Sequence, residues 1–224
     1  MTNNNPNGWT GGTGEKITYL SDEQVTKFFA AIEAQKDPVK RKRDMALFSI
    51  MLAYGCRCAE IPLIKLEHVR LREYPEHSEL YVTRVKKKKD LKTGLAKPRE
   101  GRWYRVSDKN KVVLTAWLKV RKKYKTAALS DSLFVTKETG TFSLPHIYDS
   151  TVKYGLQAGL KVNPHQFRHT CGIRLARKGL SAFEIKERLG HVSVISTEVY
   201  VRLAGPERLA ADRRADEALE GSDD

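Results

Sequence analysis

The helix punctuation between Asn163 and Pro206 constrains this chain more than any other feature. Asn163 is a helix-capping residue, and Pro164 after it suits a first helical position, where its missing N–H has no partner to lose. Gly179 follows the helix that this pair opens, as a residue that readily takes positive φ. Ser181 with Glu184 makes a capping box, and Gly190 stops the helix that the box begins. Ser193 or Ser196 can cap a third, short helix carrying Tyr200 before Gly205-Pro206 breaks the chain. A last, Ala-rich helix is expected over Glu207 to Glu220.

The rest of the chain is read against that helical block. Ser21 with Gln24 is another capping box, and Val25, Phe28, Phe29 and Ile32 share one face of a helix over Ser21 to Ala34. Pro38 and the basic run Lys40 to Arg43 separate it from a more buried helix over Asp44 to Tyr54, stopped by Gly55. A short helical piece runs from Arg57 to about Lys65 with Pro62 inside it. Leu80 to Val85 alternates as a strand, and Trp103 to Val106 is its expected partner. Val112 to Tyr124 reads as a helix with Val113, Trp117 and Leu118 inward, and Leu144 to Gly155 as another. The expected fold class is mainly α with one small antiparallel β-sheet, α+β. Residues 1–17 are expected to form a flexible arm, 18–204 the globular domain, and 205–224 a terminal helix with an acidic tail.

The chain of 224 residues carries a formal charge of +14, and the excess is local. Between Arg84 and Lys125 there are 17 Lys/Arg against three Asp/Glu, while the remainder is balanced. A solvated, solubilising face usually mixes its signs, so a one-sign stretch points to a polyanionic partner. Gly94, Pro98, Gly101 and strand-like residues interrupt the stretch, so it is not one amphipathic helix for a membrane surface. No apolar run approaches the ~20 residues that span a bilayer, and Met1 to Gly14 lacks the pattern of a signal peptide. A cytoplasmic protein is expected. Cys56, Cys58 and Cys171 are odd in number and badly spaced for a disulfide framework or a zinc knuckle. His165 and His169 have zinc-like i,i+4 spacing, but Gln166 stands where a metalloprotease has Glu. Buried thiols and no metal are the expectation.

Cutting a DNA backbone without a metal needs fixed donors for the charge on the phosphate, a nucleophile for phosphorus, and an acid for the leaving oxygen. Arginine serves the first need best, because its planar fork binds two phosphate oxygens together. Arg57 follows a Gly-stopped helix in YGCRCAEI. His165 and Arg168 lie three apart in PHQFRHTCG, on one face near a helix start whose dipole favours an anion. His191 follows a helix stop in LGHVSVISTEVY, with Tyr200 nine residues on. Taken singly, each has a bland reading: a surface arginine, a capped or core histidine, a half-buried tyrosine. Their occurrence together and in this order is what carries weight.

That ordered set, with LSDEQVTKFFAAI near the start, resembles the catalytic domain of the tyrosine recombinases, the phage integrase family. The resemblance runs from about Thr18 to Leu203. It implies that Arg57 and Arg168 clamp the scissile phosphate, with Glu60 supporting Arg57. It implies that His165 and His191 donate to the phosphate and assist proton movement. Tyr200 would attack and leave a 3′-phosphotyrosyl link, whose retained bond energy lets a second DNA end rejoin without nucleotide, metal or other cofactor. The family takes its general acid from a lysine between two strands. Lys86, Lys87, Lys88 and Lys89 are the candidates, with Lys87 favoured and Lys86 next. Lys86, Lys88, Lys89, Lys92, Lys97, Arg99 and Arg102 are expected to contact DNA phosphates.

The implied activity is site-specific recombination of double-stranded DNA (integration, excision or inversion) in a homotetramer, with accessory DNA-bending proteins as further partners. The alternatives are the same chemistry without recombination, as in a type IB topoisomerase or a telomere resolvase, and a catalytically idle DNA-binding regulator. The family places a DNA-clamping helical domain ahead of the catalytic one, and about twenty residues precede the first helix here, a departure that bears on unaided affinity and site specificity. The terminal helix falls where relatives exchange a segment between protomers.

Overall fold

The structure is a computed structural model that describes residues 9–10, 16–73, 77–85, 100–191 and 193–205. Within the segment read as an arm, β1 (Trp9–Thr10) pairs antiparallel with β2 (Lys16–Ile17). Helix α1 (Asp22–Glu33) begins at the expected box, with Ser21 Oγ accepting from Gln24 N at 3.1 Å. Helix α2 (Pro38–Tyr54) begins six residues before the expected Asp44. Asp37 caps it, accepting from Val39 N at 2.8 Å and Lys40 N at 3.1 Å, and Pro38 occupies the first turn, where proline opens a helix instead of breaking it. Gly55 ends α2 at φ 61°, the left-handed stop that its sequence position predicts.

The piece after Gly55 is a 3₁₀ turn, Cys58–Leu63, which tolerates Pro62 near its end. A second 3₁₀ turn, Leu66–His68, leads into strand β3 (Val69–Arg70), which was not foreseen because two residues carry no periodicity. β4 (Glu79–Thr83) lies between β3 and β5 (Gly101–Arg105) in an antiparallel sheet of order β3-β4-β5. Leu80 opposes Tyr104 and Val82 opposes Arg102. Leu80, Val82 and Tyr104 turn to the core, while Tyr81 and Trp103 meet on the other face with ring centroids 5.2 Å apart.

Helix α3 (Asp108–Arg121) starts earlier than expected because Ser107 caps it. Its inward face is Leu114, Trp117 and Val120; Trp117 is inward as expected, while Val113 and Leu118 are half-buried. Arg121 departs from the basic-surface reading. It is buried, and its guanidinium donates to the carbonyls of Ala127, Ser130, Ser132 and Leu133, closing the following 3₁₀ turn, Lys125–Leu129. α4 (Leu144–Gln157), α5 (Pro164–Arg177) and α6 (Ala182–Leu189) carry the expected starts. α7 (Ile195–Leu203) differs: its N-cap position is Val194.

Two apolar clusters form the interior. In the larger, Phe28, Phe48, Tyr154 and Phe167 meet ring to ring, mostly edge-on, with centroids 5.0–6.1 Å apart, joining α1, α2, α4 and α5. The smaller holds Cys171, Ile173 and Ala176 of α5, Ile185 and Leu189 of α6, and Val199 and Tyr200 of α7. Helix α5 therefore faces both clusters, with Phe167 in one and Cys171 in the other, and Arg168 lies at the seam between them. Cys56, Cys58 and Cys171 are buried free thiols, as the spacing implied. Among the described residues, no helix is long and apolar enough to cross a membrane. The expected terminal helix over Glu207–Glu220 lies outside the described residues.

Candidate active site

The site is built at the C-terminal end of α6. A helix leaves its last carbonyls without intrahelical partners, and they carry the negative end of its dipole. Here four consecutive ones are met by side chains from outside α6. Arg84 Nη2 donates to Glu187 O at 3.0 Å, Tyr104 Oη to Arg188 O at 2.6 Å, Arg168 Nη2 to Leu189 O at 2.8 Å and Arg57 Nη2 to Gly190 O at 3.2 Å. Bonds from charged donors contribute about 1.5–3 kcal/mol each. The helix end thus holds Arg57 and Arg168 beside one another against their mutual repulsion. It also fixes His191, whose backbone N–H bonds Lys186 O at 3.1 Å. Gly190 makes the turn at φ 71°, and a Cβ there would come within 2.7 Å of Arg84 Nε.

Each arginine has a second support. Arg57 Nη1 meets Glu60 Oε1 at 3.0 Å, and the other oxygen of Glu60 accepts from Arg57 N at 2.8 Å. Glu60 is 4% exposed, so this carboxylate sits in a medium of low dielectric where pairing is strong. Arg168 is 3% exposed, and its Nη1 donates to Gly55 O at 2.7 Å. Burial lowers the Arg168 pKa, and the charge of Arg57 lowers it further. A buried guanidinium with a second cation beside it lowers its energy by gaining an anion.

Three imidazoles and a phenol complete the cluster. His165 opens α5 with an exposed ring, and its pKa is lowered by partial desolvation and by Arg168 and Arg57. His191 is half-buried, its Nδ1 2.9 Å from Thr197 Oγ1 and its ring 5.9 Å from that of Tyr200. Tyr200 is 1% exposed. Its ring lies flat on α5 where Gly172 leaves room, since a Cβ at 172 would come within 2.6 Å of two ring carbons. Burial pushes its pKa up to about 12, and Arg168 and Arg57 pull in the opposite direction. Its hydroxyl is 2.9 Å from His169 Nδ1. Burial, with His165 and Arg168 nearby, holds His169 down at about 4, so its imidazole is neutral at physiological pH.

The sequence profile of the phage integrase family matches residues 18–206. The chain belongs to the phage integrase family. Family relatives include the tyrosine recombinase XerC of Alcanivorax borkumensis, 27% identical over 198 residues that make up 85% of this chain. The tyrosine recombinase XerA of Pyrococcus furiosus is 26% identical over 201 residues, 88% of this chain. The chain spans 58% and 61% of the length of those two relatives. Among solved structures, that of XerA recombinase superposes with a TM-score of 0.68 at 23% identity, covering 89% of this chain and 65% of that one. The catalytic domain of bacteriophage HP1 integrase superposes at 0.55 and 18% identity, covering 88% of this chain and 94% of that one. The fold is that of a phage-integrase catalytic domain, as expected from the sequence.

Of the expected site residues, the structure brings together Arg57, Glu60, His165, Arg168, His191 and Tyr200. Lys86, Lys87, Lys88, Lys89, Lys92, Lys97 and Arg99 lie outside the described residues. Arg102 is exposed but belongs to β5, with its guanidinium carbon 5.8 Å from the ring centre of Tyr104. Sequence reasoning missed Arg84 and Tyr104, whose contacts run across the chain and leave no local signal, and Thr197, which meets His191 six residues away. It met His169 only as a zinc candidate. The available signal was that His169 stands one helical turn after His165, on the face that Arg168 borders.

Proposed function

We propose that this chain supplies the catalytic part of a site-specific recombinase that cuts and rejoins double-stranded DNA through a 3′-phosphotyrosyl intermediate. The observation that carries the reading is one cluster in which two guanidiniums sit on the end of α6, His191 and His169 flank the Tyr200 phenol, and His165 neighbours His169. Arg57 and Arg168 would take the two non-bridging oxygens of the scissile phosphate, with orientation already fixed by carbonyls and by Glu60. His165 and His191 would donate to the same oxygens as charge develops. Tyr200 would attack phosphorus, and the 5′-oxygen would leave with a proton from a lysine after β4, for which Lys87 is the first choice and Lys86 the second.

The DNA-bound relative named XerH site-specific recombinase, solved with its difH substrate in a post-cleavage complex, supports this direction by likeness of fold, at a TM-score of 0.68. Assembly as a tetramer on DNA, help from DNA-bending proteins and a cytoplasmic setting belong to the same proposal. So do phosphate contacts from Arg102, Lys86, Lys88, Lys89, Lys92, Lys97 and Arg99.

A nicked suicide substrate tests the reading. Cleavage releases a short fragment that cannot religate, so a covalent protein–DNA adduct accumulates. Tyr200→Phe removes the nucleophile, and the loss of its bond to His169 costs about 1 kcal/mol of stability. The adduct should disappear while DNA binding persists. An adduct that survives the substitution removes Tyr200 from its role.

A further inference from the structure

The nucleophile must lose a proton, and family likeness implies that His165 and His191 assist proton movement without assigning the group that takes the phenolic proton. This inference rests on the reading of Tyr200 as nucleophile. We propose that His169 is a catalytic residue, the base that receives the phenolic proton of Tyr200 as its oxygen attacks phosphorus.

The geometry is already set. His169 Nδ1 lies 2.9 Å from Tyr200 Oη, inside the heavy-atom range for proton transfer of about 2.6–3.2 Å. The two rings stand 5.9 Å apart at 56°, with the phenol seated against Gly172. The neighbouring imidazoles are placed for other work. His191 Nδ1 is engaged by Thr197 Oγ1, and His165 lies toward the exposed edge, its ring 6.2 Å from that of His169. The proposal assigns the His169 proton to Nε2, so that the Nδ1 lone pair accepts from the Tyr200 hydroxyl.

The step balances. Tyr200 Oη forms a bond to phosphorus as the bond from phosphorus to the 5′-oxygen breaks. The phenolic proton crosses to Nδ1 and makes an imidazolium, while the departing 5′-oxygen takes its proton from a separate acid, the lysine candidate above. In the reverse direction the 5′-hydroxyl attacks, and the imidazolium returns its proton to the leaving phenol. His169 is neutral before DNA arrives because burial, His165 and Arg168 depress its pKa to about 4. A phosphodiester between Arg57 and Arg168 offsets the guanidinium that contributes to this depression. It also favours the imidazolium, so basicity rises when substrate is bound.

The test is single-turnover adduct formation at saturating suicide DNA, on two substrates. One is an ordinary phosphodiester. The other carries a 5′-bridging phosphorothiolate, whose thiolate leaves without an acid but still requires the phenol to be deprotonated. His169→Asn keeps an acceptor near the Nδ1 position yet cannot take the proton. The expected result is cleavage about 100-fold slower on both substrates, with DNA affinity unchanged. A residue that only holds the phenol in place would let Asn cleave at close to the wild-type rate, and that outcome overturns the proposal. Recovery on the phosphorothiolate overturns it too, since the defect would then lie at the leaving oxygen. If the Asn protein melts early, both proteins are assayed below its melting temperature. Absence of any adduct with the wild-type protein would instead remove the recombinase reading itself.

Discussion

Replacing Gly55 with alanine probes how the arginine clamp is held. Gly55 sits at φ 61°, and its carbonyl accepts from Arg168 Nη1 at 2.7 Å. A side chain in the left-handed region costs about 1–2 kcal/mol. A Cβ at 55 would also come within 2.4 Å of Leu189 Cδ2 and 3.3 Å of Cys171 Sγ. Leu189 is 4% exposed and has no open space to move into, so overpacking adds about 1–3 kcal/mol. The control is Gly159→Ala, at φ 69° with nothing within 4 Å of the new Cβ, where the backbone cost stands alone. The two variants should therefore differ by the overpacking contribution. For a domain of this size that is roughly 2–12 °C in Tm, at about 2–4 °C per kcal/mol. Thermal melts by circular dichroism measure the difference. Leu189 also supplies a carbonyl to Arg168, so Gly55→Ala displaces both acceptors of that guanidinium and should slow adduct formation, whereas Gly159→Ala should not. Equal Tm losses would refute the steric reasoning. A Gly55→Ala protein that cleaves at the full rate would refute the link from those carbonyls to the clamp.

Three further outcomes are expected. Stability should fall as pH drops from about 6.5 toward 4, because His169 binds a proton less readily folded than unfolded. His169→Asn should flatten that part of the curve of Tm against pH, and an unchanged slope would show that other groups carry it. Asp44→Asn leaves buried Arg43 without the carboxylate oxygen it meets at 2.7 Å and weakens the acceptor of Tyr154 Oη at 2.6 Å. A loss of about 3–5 kcal/mol should appear as a lower urea midpoint at constant m-value, and a midpoint within error of wild type contradicts the pairing argument. Arg102→Ala should reduce the slope of log affinity for DNA against log salt by roughly 0.9, the contribution of one phosphate contact. An unaltered slope would mean that Arg102 serves the ring of Tyr104 and not DNA.

Much of the helical framework was legible because helix ends are local. Ser21 with Gln24, Asn163 with Pro164, Ser181 with Glu184, and the stops at Gly55 and Gly190 each satisfy or end a backbone ladder with residues close in sequence. Where a local signal had two meanings, reading failed. Pro38 with the basic run after it looked like a spacer, yet Asp37 makes Pro38 an opener. Arg121 looked like one more surface cation, yet it closes a turn by donating to four carbonyls.

The order of Arg57, Glu60, His165, Arg168, His191 and Tyr200 was written in the sequence by itself, and so was the chemical type of each group. Which other groups join them was decided only by tertiary structure. Arg84, just after β4, and Tyr104 of β5 reach the end of α6, and His169 meets Tyr200 across 31 residues of chain. A short motif can encode a cap because its partners are at most a few residues apart. The four carbonyls of Glu187 to Gly190 find their donors only after the sheet, α5 and α6 have packed, and the position of the clamp follows from that packing.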